Sequence, residues 1–325
     1  MCAIGVALAG VACAETPRNA RPVAASAVRG AADDSDLWNL AGASTDALID
    51  VDLHALRTSE WSRALVTGDF GGEREARRQA FGYDVFTEAD RMLVVGSDTP
   101  GGTRSLTLAR GHFDPARVGG AFTAAAPGAV ARAWRDSPVW EGAGRAVALV
   151  TPRTLAQGDP DTVRGAIDAA WGLTADARTG PLGQLRRALD ADRNPPALFF
   201  ALTVTPAMRG RAAGTLEIPT ELRRLAGRLD LAADLDIDAV ALFDDAGAAG
   251  AAASTWAADA HVAARQPMLA LLGLGSVLDG LALTAEGTRV HARLHLPADR
   301  RELLAEKMDM VLKLLADARQ RPPTP

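Results

Sequence analysis

Four residues that could bind an anion alternate along a segment near the end of the chain. They are Arg289, His291, Arg293 and His295, and the residues between them are aliphatic. In an extended strand every second side chain points to the same face, so these four side chains share one face. Guanidinium and imidazolium groups favour phosphate and carboxylate ligands. The spacing therefore predicts a candidate anion-binding face; the alternative is a solvated face whose charges pair with carboxylates on neighbouring strands.

Two segments of the later half of the chain carry residue types that bind metal ions, but their spacings argue against a metal site. On a strand, His291 and His295 lie about 13 Å apart, too far for one ion without a bend. Three aspartates alternate along residues 234–238, which is the spacing of the first ligands of an EF-hand calcium loop. Ala239 and Asp245 occupy positions where that loop needs glycine and glutamate. We therefore interpret residues 234–238 as a strand with one acidic, solvated face, and predict no metal site.

The chain contains no sequence pattern of a known catalytic site. There is no G-x-S-x-G nucleophile elbow, no H-E-x-x-H zinc motif and no phosphate-binding P-loop. Both cysteines, Cys2 and Cys13, precede the body, which excludes a disulfide or a cysteine zinc site within it. The net charge of -5 gives no bias toward nucleic acid. We predict no catalytic residue, no cofactor and no nucleic-acid partner.

The first 14 residues form a short apolar segment that is typical of a secretory signal. The segment is shorter than the roughly 20 residues that a permanent membrane helix needs. Residues 8–13, Leu-Ala-Gly-Val-Ala-Cys, resemble a bacterial lipobox, which implies lipidation of Cys13 and a membrane anchor. Gly10 departs from that motif, where a larger aliphatic residue is usual. The alternatives are cleavage after Ala14, which gives a soluble exported protein, and a cytoplasmic protein with an apolar N-terminus.

The order of signal, tether and body resembles that of uncharacterised exported proteins of GC-rich bacteria, many of them known only as lipoproteins. Residues 15–44 are rich in Ala, Pro, Arg and Asp, which predicts a flexible linker between Cys13 and a folded body. One apolar group in this linker, around Trp38, is interpreted as packing onto the body. The resemblance implies export, as a membrane-anchored lipoprotein or a periplasmic protein, and carries over no functional residue.

The candidate anion-binding face must be positioned by the closing part of the chain. Residues 281–296 alternate on either side of Gly287, which predicts a two-stranded hairpin with glycine in the turn. Residues 299–315 then show apolar side chains at helical spacing, which predicts a helix laid on one face of the hairpin. In this register Leu294 faces inward and Arg293 faces solvent.

The rest of the body shows the same mixture of hairpins and helices. Residues 47–53 predict a strand whose aliphatic set, Ile49, Val51 and Leu53, faces the core. Residues 92–113 predict a second hairpin. Further helices are predicted where an aspartate precedes a proline, because proline is favoured in the first turn of a helix.

We therefore predict an α+β fold, with antiparallel sheets and helices packed on one face, in two related halves. Each half begins with a strand and a helix and later has a hairpin and a helix, although any α+β chain can show such an echo by chance. Two prolines after Asn194 favour a boundary there. The predicted organisation is a signal at 1–14, a flexible linker at 15–44, a first half at 45–194, a second half at 195–320 and a frayed tail at 321–325.

Two hypotheses of different class follow for the function. The first, which we favour because of the signal, the tether and the absence of a catalytic pattern, is a non-enzymatic cell-envelope protein or lipoprotein that acts by binding or structural association. Its contacts would be the membrane, through a lipid on Cys13, and an envelope partner. The second is a hydrolase or an anionic small-ligand-binding protein whose site is assembled from sequence-distant residues. A deep pocket lined by histidine and carboxylates would favour the second hypothesis, and a flat exposed apolar patch the first.

Overall fold

The described part of the chain is built around a single large β-sheet. A computed structural model describes residues 36–61, 78–79, 82–99, 102–192, 195–212, 218–266, 275–302 and 306. The sheet has 12 strands in the order β11-β12-β10-β9-β8-β1-β2-β3-β7-β6-β5-β4. Every neighbouring pair is antiparallel. The α+β class with an antiparallel sheet, predicted from the alternation of strands in hairpins, is confirmed.

The strands and helices have the following bounds. The strands are β1 (Ala47–Asp52), β2 (Ala89–Thr99), β3 (Gly102–Gly111), β4 (Val130–Trp134), β5 (Ser137–Gly142), β6 (Arg145–Thr151), β7 (Thr154–Gly158), β8 (Leu198–Thr203), β9 (Leu222–Leu231), β10 (Leu235–Phe243), β11 (Ala282–Glu286) and β12 (Arg289–Leu296). The α-helices are α1 (Leu53–Thr58), α2 (Val85–Glu88), α3 (Pro115–Ala125), α4 (Pro160–Ala170), α5 (Pro181–Ala188), α6 (Pro206–Ala212), α7 (Ala246–Ala264) and α8 (Gly275–Asp279). The described residues also contain two 3-10 helices, one at Leu37–Leu40, called η1 below, and one at Ala298–Arg300.

Strand β1 lies near the middle of the sheet and is covered on both faces. It pairs with β2 on one side and with β8 on the other. Ile49 and Val51 join one apolar cluster, as predicted, whereas Leu48 and Asp50 point to the opposite face and are each 2% exposed. Leu53, which the alternation assigned to the strand, begins α1 instead. The two sides of the sheet are called the Leu48 face and the Val51 face from here on.

Helices pack on both faces of the sheet, whereas the sequence predicted them on one. On the Leu48 face, η1, α4 and α5 contribute Trp38, Ile167 and Leu185 to the main core. On the Val51 face, α1 and α3 contribute to a second cluster, and α7 covers a third cluster formed by the later strands. A helix with one apolar stripe must bury that stripe, but its sequence does not specify which face of a sheet it meets.

The strand order repeats outward from the central β1–β8 pair. One side reads β1-β2-β3-β7-β6, and the other reads β8-β9-β10-β12-β11. In each series a hairpin, β2–β3 or β9–β10, lies next to the central pair. A later hairpin, β6–β7 or β11–β12, pairs with the outer strand of the first hairpin through its own second strand. The first series carries the additional strands β5 and β4. The two series are therefore related in topology; the domain boundary at 194–195 stays a prediction, and β1 and β8 pair across it.

The apolar group inside the predicted linker forms η1 and belongs to the core. Leu37, Trp38 and Leu40 are all 0% exposed. The Trp38 ring lies 5.7 Å from the Phe199 ring, between centroids, and its Nε1 donates to Asp50 at 2.7 Å. The interpretation that Trp38 packs onto the body is confirmed, so the ordered body begins no later than Asp36.

The two hairpins that the sequence predicted are present, whereas the β4–β5, β5–β6 and β6–β7 hairpins were missed. Gly287 adopts φ +55 in the β11–β12 turn, where only glycine is free of a Cβ penalty. In the missed β4–β5 hairpin the turn residues are Arg135 and Asp136, at φ 50 and 65. These residue types carry no turn signal comparable to Asn-Gly, which is why the sequence does not reveal this hairpin.

Candidate functional site

A cavity of about 410 Å³ opens on the Leu48 face. Three segments that are far apart in the sequence form its walls: the turn after η1, the β2–β3 hairpin, and α4 with the turn that follows it. The lining residues are Leu40, Gly42, Ala43, Ser44, Thr45, Val95, Ser97, Arg104, Leu106, Thr162, Gly165, Ala166, Thr174 and Ala175. Small-molecule sites in proteins have volumes of roughly 300–1,000 Å³, so the cavity is large enough for a ligand.

The floor of the cavity is apolar because it is a surface of the main core. Leu40, Val95, Leu106 and Ala166 are at most 6% exposed. Val95 and Leu106 are direct partners across β2 and β3, so both side chains point to the Leu48 face. An apolar group placed on this floor would leave water, which is favourable by about 25 cal/mol per Å² of area removed.

Several residues with hydroxyl groups also line the cavity. The hydroxyl groups of Thr45 and Thr162 donate to backbone carbonyls at 2.7 and 2.9 Å, so they stabilise the walls. The side chains of Ser44, Ser97 and Thr174 have no hydrogen-bond partner among the described residues. These three hydroxyl groups are free to bind the polar part of a ligand.

Arg104 is the single charged side chain among the described residues that line the cavity. Its Nη1 lies 3.3 Å from Oδ2 of Asp161, and the two side chains are 49% and 63% exposed. Asp161 also faces Arg164 at 3.6 Å. An ion pair this exposed contributes about 0–1 kcal/mol, so an anionic ligand can compete with Asp161 for the guanidinium.

Asp98 fixes the hairpin that carries Arg104 and Ser97. Its carboxylate accepts from the Thr205 hydroxyl at 2.5 Å, from the Thr103 hydroxyl at 2.9 Å and from Arg211 at 3.1 Å. The Thr205 hydrogen bond is the main reason that the pKa of Asp98 lies below its ordinary value, and the Thr103 and Arg211 contacts lower it further. Thr205 immediately precedes α6, and Arg211 lies within it. Asp98 therefore connects the end of the β2–β3 hairpin to the later half of the chain.

A buried polar group holds the other wall in place. Asp50 is 2% exposed and accepts three hydrogen bonds, one from Trp38 and two from Arg91 at 2.7 and 2.8 Å. Burial alone would lower the pKa of Arg91, but its hydrogen bonds to Asp50 and the negative charges of Asp50, Asp36 and Asp52 together outweigh that effect, and the pKa lies above the ordinary value. The Arg186 guanidinium lies 4.6 Å from the Trp38 ring centroid and pairs with Asp36 at 2.8 Å. These contacts fix η1 and thereby the turn that forms the cavity wall.

The structure places the predicted anion-binding residues on β12, away from the cavity. All four point to the Leu48 face, which the register from β1 through β8, β9 and β10 establishes. Arg293 pairs with Asp238 at 3.2 Å, and His295 pairs with Asp236 at 2.7 Å. The hydrogen bond to Asp236 is the main cause of the raised pKa of His295. The face thus has its own carboxylates on β10, and anion binding there stays a prediction.

For the two remaining residues of this face, Arg289 and His291, the described residues contain no ion pair. Cys13 lies outside the described residues, as do 303–305 and 307–315 of the predicted closing helix. The described residues contain no group of three or more His, Cys, Asp or Glu placed to hold a metal ion. Among them there is also no helix long and apolar enough to cross a membrane.

Sequence reasoning missed the residues that line the cavity. Arg104 lies among polar residues of a strand, which is the pattern of an ordinary solvated position. Gly165 lies in a helix and belongs to no recognisable motif. The one usable signal was Trp38, a large apolar residue in a polar segment, because it marked a contact between the linker and the body.

Comparison with known proteins gives a fold and no family. No family model matches the chain, and no curated protein matches it. A solved structure described as crystal form III of TP0453 matches at a TM-score of 0.50 with 9% identity, over 85% of this chain and 98% of that chain. Crystal forms IV and I of TP0453 match at TM-scores of 0.48 and 0.47, also with 9% identity. At this identity the first likeness concerns the fold alone.

Proposed function

We propose that this chain is a non-enzymatic binding protein of the bacterial cell envelope that holds a small amphipathic anion in its cavity. The apolar body of the ligand lies on the floor formed by Leu40, Val95 and Leu106, and its anionic group meets Arg104. The observation that supports this proposal is the cavity itself, with an apolar floor and one cation at its rim.

The chemistry of the lining supports binding. The described lining residues offer aliphatic surface, hydroxyl groups and a guanidinium, which together hold an anion and desolvate its apolar part. All five histidines of the chain are in the described residues, and they lie outside the lining. The cavity is therefore not the pocket lined by histidine and carboxylates that would favour a hydrolase. Of the second hypothesis we keep the anionic small-ligand-binding protein and combine it with the first.

Removal of the Arg104 guanidinium should weaken binding of an anion and leave binding of a neutral analogue unchanged. The probes are octanoate and 1-octanol, which share an apolar body and differ in charge. A hydrogen bond to a charged group contributes about 1.5–3 kcal/mol, so Arg104→Ala should weaken octanoate binding by about tenfold or more. Isothermal titration calorimetry measures both affinities. Arg223→Ala is the matched control, because Arg223 also forms an exposed pair with an aspartate, Asp244.

A second variant tests whether the ligand occupies the cavity. A Cβ at Gly165 meets no atom within 4 Å, so Gly165→Leu fills the cavity without a backbone clash. We expect this variant to lose both probes while its thermal unfolding is preserved. Gly250→Leu is the control, since Gly250 is also helical with open space at its Cβ and lies in α7. Octanoate binding that survives Gly165→Leu, or no binding of either probe to the wild-type protein, would contradict the proposal.

The envelope location is a separate part of the proposal and has its own test. We expect the mature protein, purified from its native host, to begin at Cys13 with a diacylglycerol on the thiol. Intact-mass spectrometry distinguishes this product from a protein that begins at Glu15 and from one that retains Met1. Cys13→Ala should release the protein from the membrane fraction or block its processing, with unchanged circular dichroism of the body. A mature chain that retains Met1 would rule out export.

A further inference from the structure

Strand β4 forms one end of the sheet, and no described residue pairs with its outer edge. Its inner edge pairs with β5 over all five of its residues, Val130–Trp134. Each of these residues is exposed. An unpaired edge presents a row of backbone donors and acceptors, which can pair with an extended segment of another chain.

The side chains on this edge are unusual for a solvated strand. Val130 and Trp134 are 45% and 37% exposed, and Trp171 and Leu173 nearby are 39% and 56% exposed. Trp134 Nε1 donates to the Asp168 carboxylate at 3.1 Å, and the Trp171 and Leu173 amides donate to the Asp168 carbonyl. Asp168 therefore bonds to three of these exposed apolar residues, through its carboxylate to Trp134 and through its carbonyl to the backbone of Trp171 and Leu173.

A cation lies between the apolar residues of β4. Arg132 is exposed and shares a face with Val130 and Trp134, because the three residues alternate along the strand. The described residues contain no ion pair that involves Arg132. Two copies of β4 paired antiparallel about Arg132 would place two guanidinium groups opposite each other, which is unfavourable. The charge therefore selects a segment that carries a carboxylate, in preference to a second copy of this strand.

The other end of the sheet differs. Strand β11 carries Glu286 and has no large apolar residue among the exposed ones, and Leu283 packs into the cluster that α7 covers. The two edges of the same sheet are thus not equivalent in exposed apolar surface or in charge.

We propose that β4 is a docking edge for an extended segment of another protein. The segment adds antiparallel to the free edge of β4, places a carboxylate opposite Arg132 and places apolar side chains opposite Val130 and Trp134. Backbone hydrogen bonds hold the segment, and the alternating side chains select its sequence as apolar, any, acidic, any, apolar.

A charge exchange tests this docking edge. The probe is a synthetic peptide, acetyl-Thr-Val-Thr-Glu-Thr-Val-Thr-amide, and its matched partner has Lys in place of Glu. We expect the wild-type protein to bind the Glu peptide about tenfold more tightly than the Lys peptide, and Arg132→Glu to reverse this preference. Arg145→Glu is the control, because Arg145 is exposed at the start of β6 and changes charge equally, away from the free edge. Calorimetry gives the affinities.

Amide hydrogen exchange shows whether the peptide adds as a strand. We expect the Glu peptide to increase protection within residues 130–134, with no change in β11. Arg132 is at the surface, so unchanged thermal unfolding of Arg132→Glu shows that any loss of binding is local. The proposal is overturned if the preference between peptides is the same in Arg132→Glu and the wild type. It is equally overturned if a second copy of the chain occupies the β4 edge. Sedimentation would then show a dimer of the wild-type protein, and Arg132→Glu would alter the fraction of dimer.

Discussion

The substitution Asp50→Asn should lower the free energy of unfolding by about 3–5 kcal/mol, because it leaves the Arg91 guanidinium buried without its counter-charge. The Asp50 carboxylate is 2% exposed, and the Arg91 side chain is 14% exposed. Asparagine can still accept from Trp38, so the loss reports mainly on the pair with Arg91. Urea unfolding, followed by circular dichroism, should show a lower midpoint with an unchanged slope.

The same chemical change at the surface provides the control. Asp238 pairs with Arg293 on the Leu48 face, with side chains that are 39% and 77% exposed. Because a pair exposed to this degree contributes about 0–1 kcal/mol, Asp238→Asn should scarcely move the midpoint. If the two variants lost equal stability, burial of the Asp50–Arg91 pair would not account for the loss.

Truncation of Trp38 should have a comparable effect, about 3–5 kcal/mol, although the residue lies in a segment that reads as a linker. Trp38→Ala removes a fully buried ring together with its contacts to Phe199 and Arg186, and it removes one donor from Asp50. Thermal unfolding measures the change. Trp171→Ala is the control, because Trp171 is 39% exposed and should matter by about 0.5 kcal/mol.

The two substitutions share a hydrogen bond, so their effects should not add. The double variant Asp50→Asn with Trp38→Ala should lose less stability than the two single variants together, with a coupling within about 0.5–3 kcal/mol. Additive losses would mean that η1 and β1 contribute independently. A small loss from Trp38→Ala alone would place residues 37–40 outside the cooperative unit.

Local features of the fold could be predicted because local chemistry specifies them. Asp114 and Asp159 precede proline at the start of α3 and α4, and the Asp114 side chain accepts from the amide of Ala116. The β11–β12 turn follows from Gly287, and its register places Leu294 and Arg293 on opposite faces of the sheet; Leu294, which was predicted to face inward, is half-buried, and most of the helix predicted to cover it lies outside the described residues. In each case the signal lies within a few residues of the structure that it specifies.

Long-range features could not be predicted from the sequence. Asp50 alternates with aliphatic residues, which is the pattern of a solvated position, and only the approach of Arg91 and Trp38 from other segments makes its burial tolerable. The cavity has the same origin, since its walls belong to elements that meet only in the folded sheet. The sequence analysis allowed that carboxylates on a neighbouring strand pair with this face. It could not identify Asp238 as the partner of Arg293, because that pairing depends on the register between β10 and β12.

The central β1–β8 pair also bears on how the chain reaches its folded state. The partners in this pair, such as Ala47 and Leu202, are about 150 residues apart in the sequence. Pairing of residues so distant raises the contact order. A high contact order slows folding, because the chain loses the entropy of closing a long loop before the contacts between its ends stabilise it. During synthesis, the edge of β1 that pairs with β8 therefore stays without that partner while about 150 further residues are made. Until β8 is made, that edge presents unpaired backbone groups, and such edges make incompletely folded chains prone to aggregation.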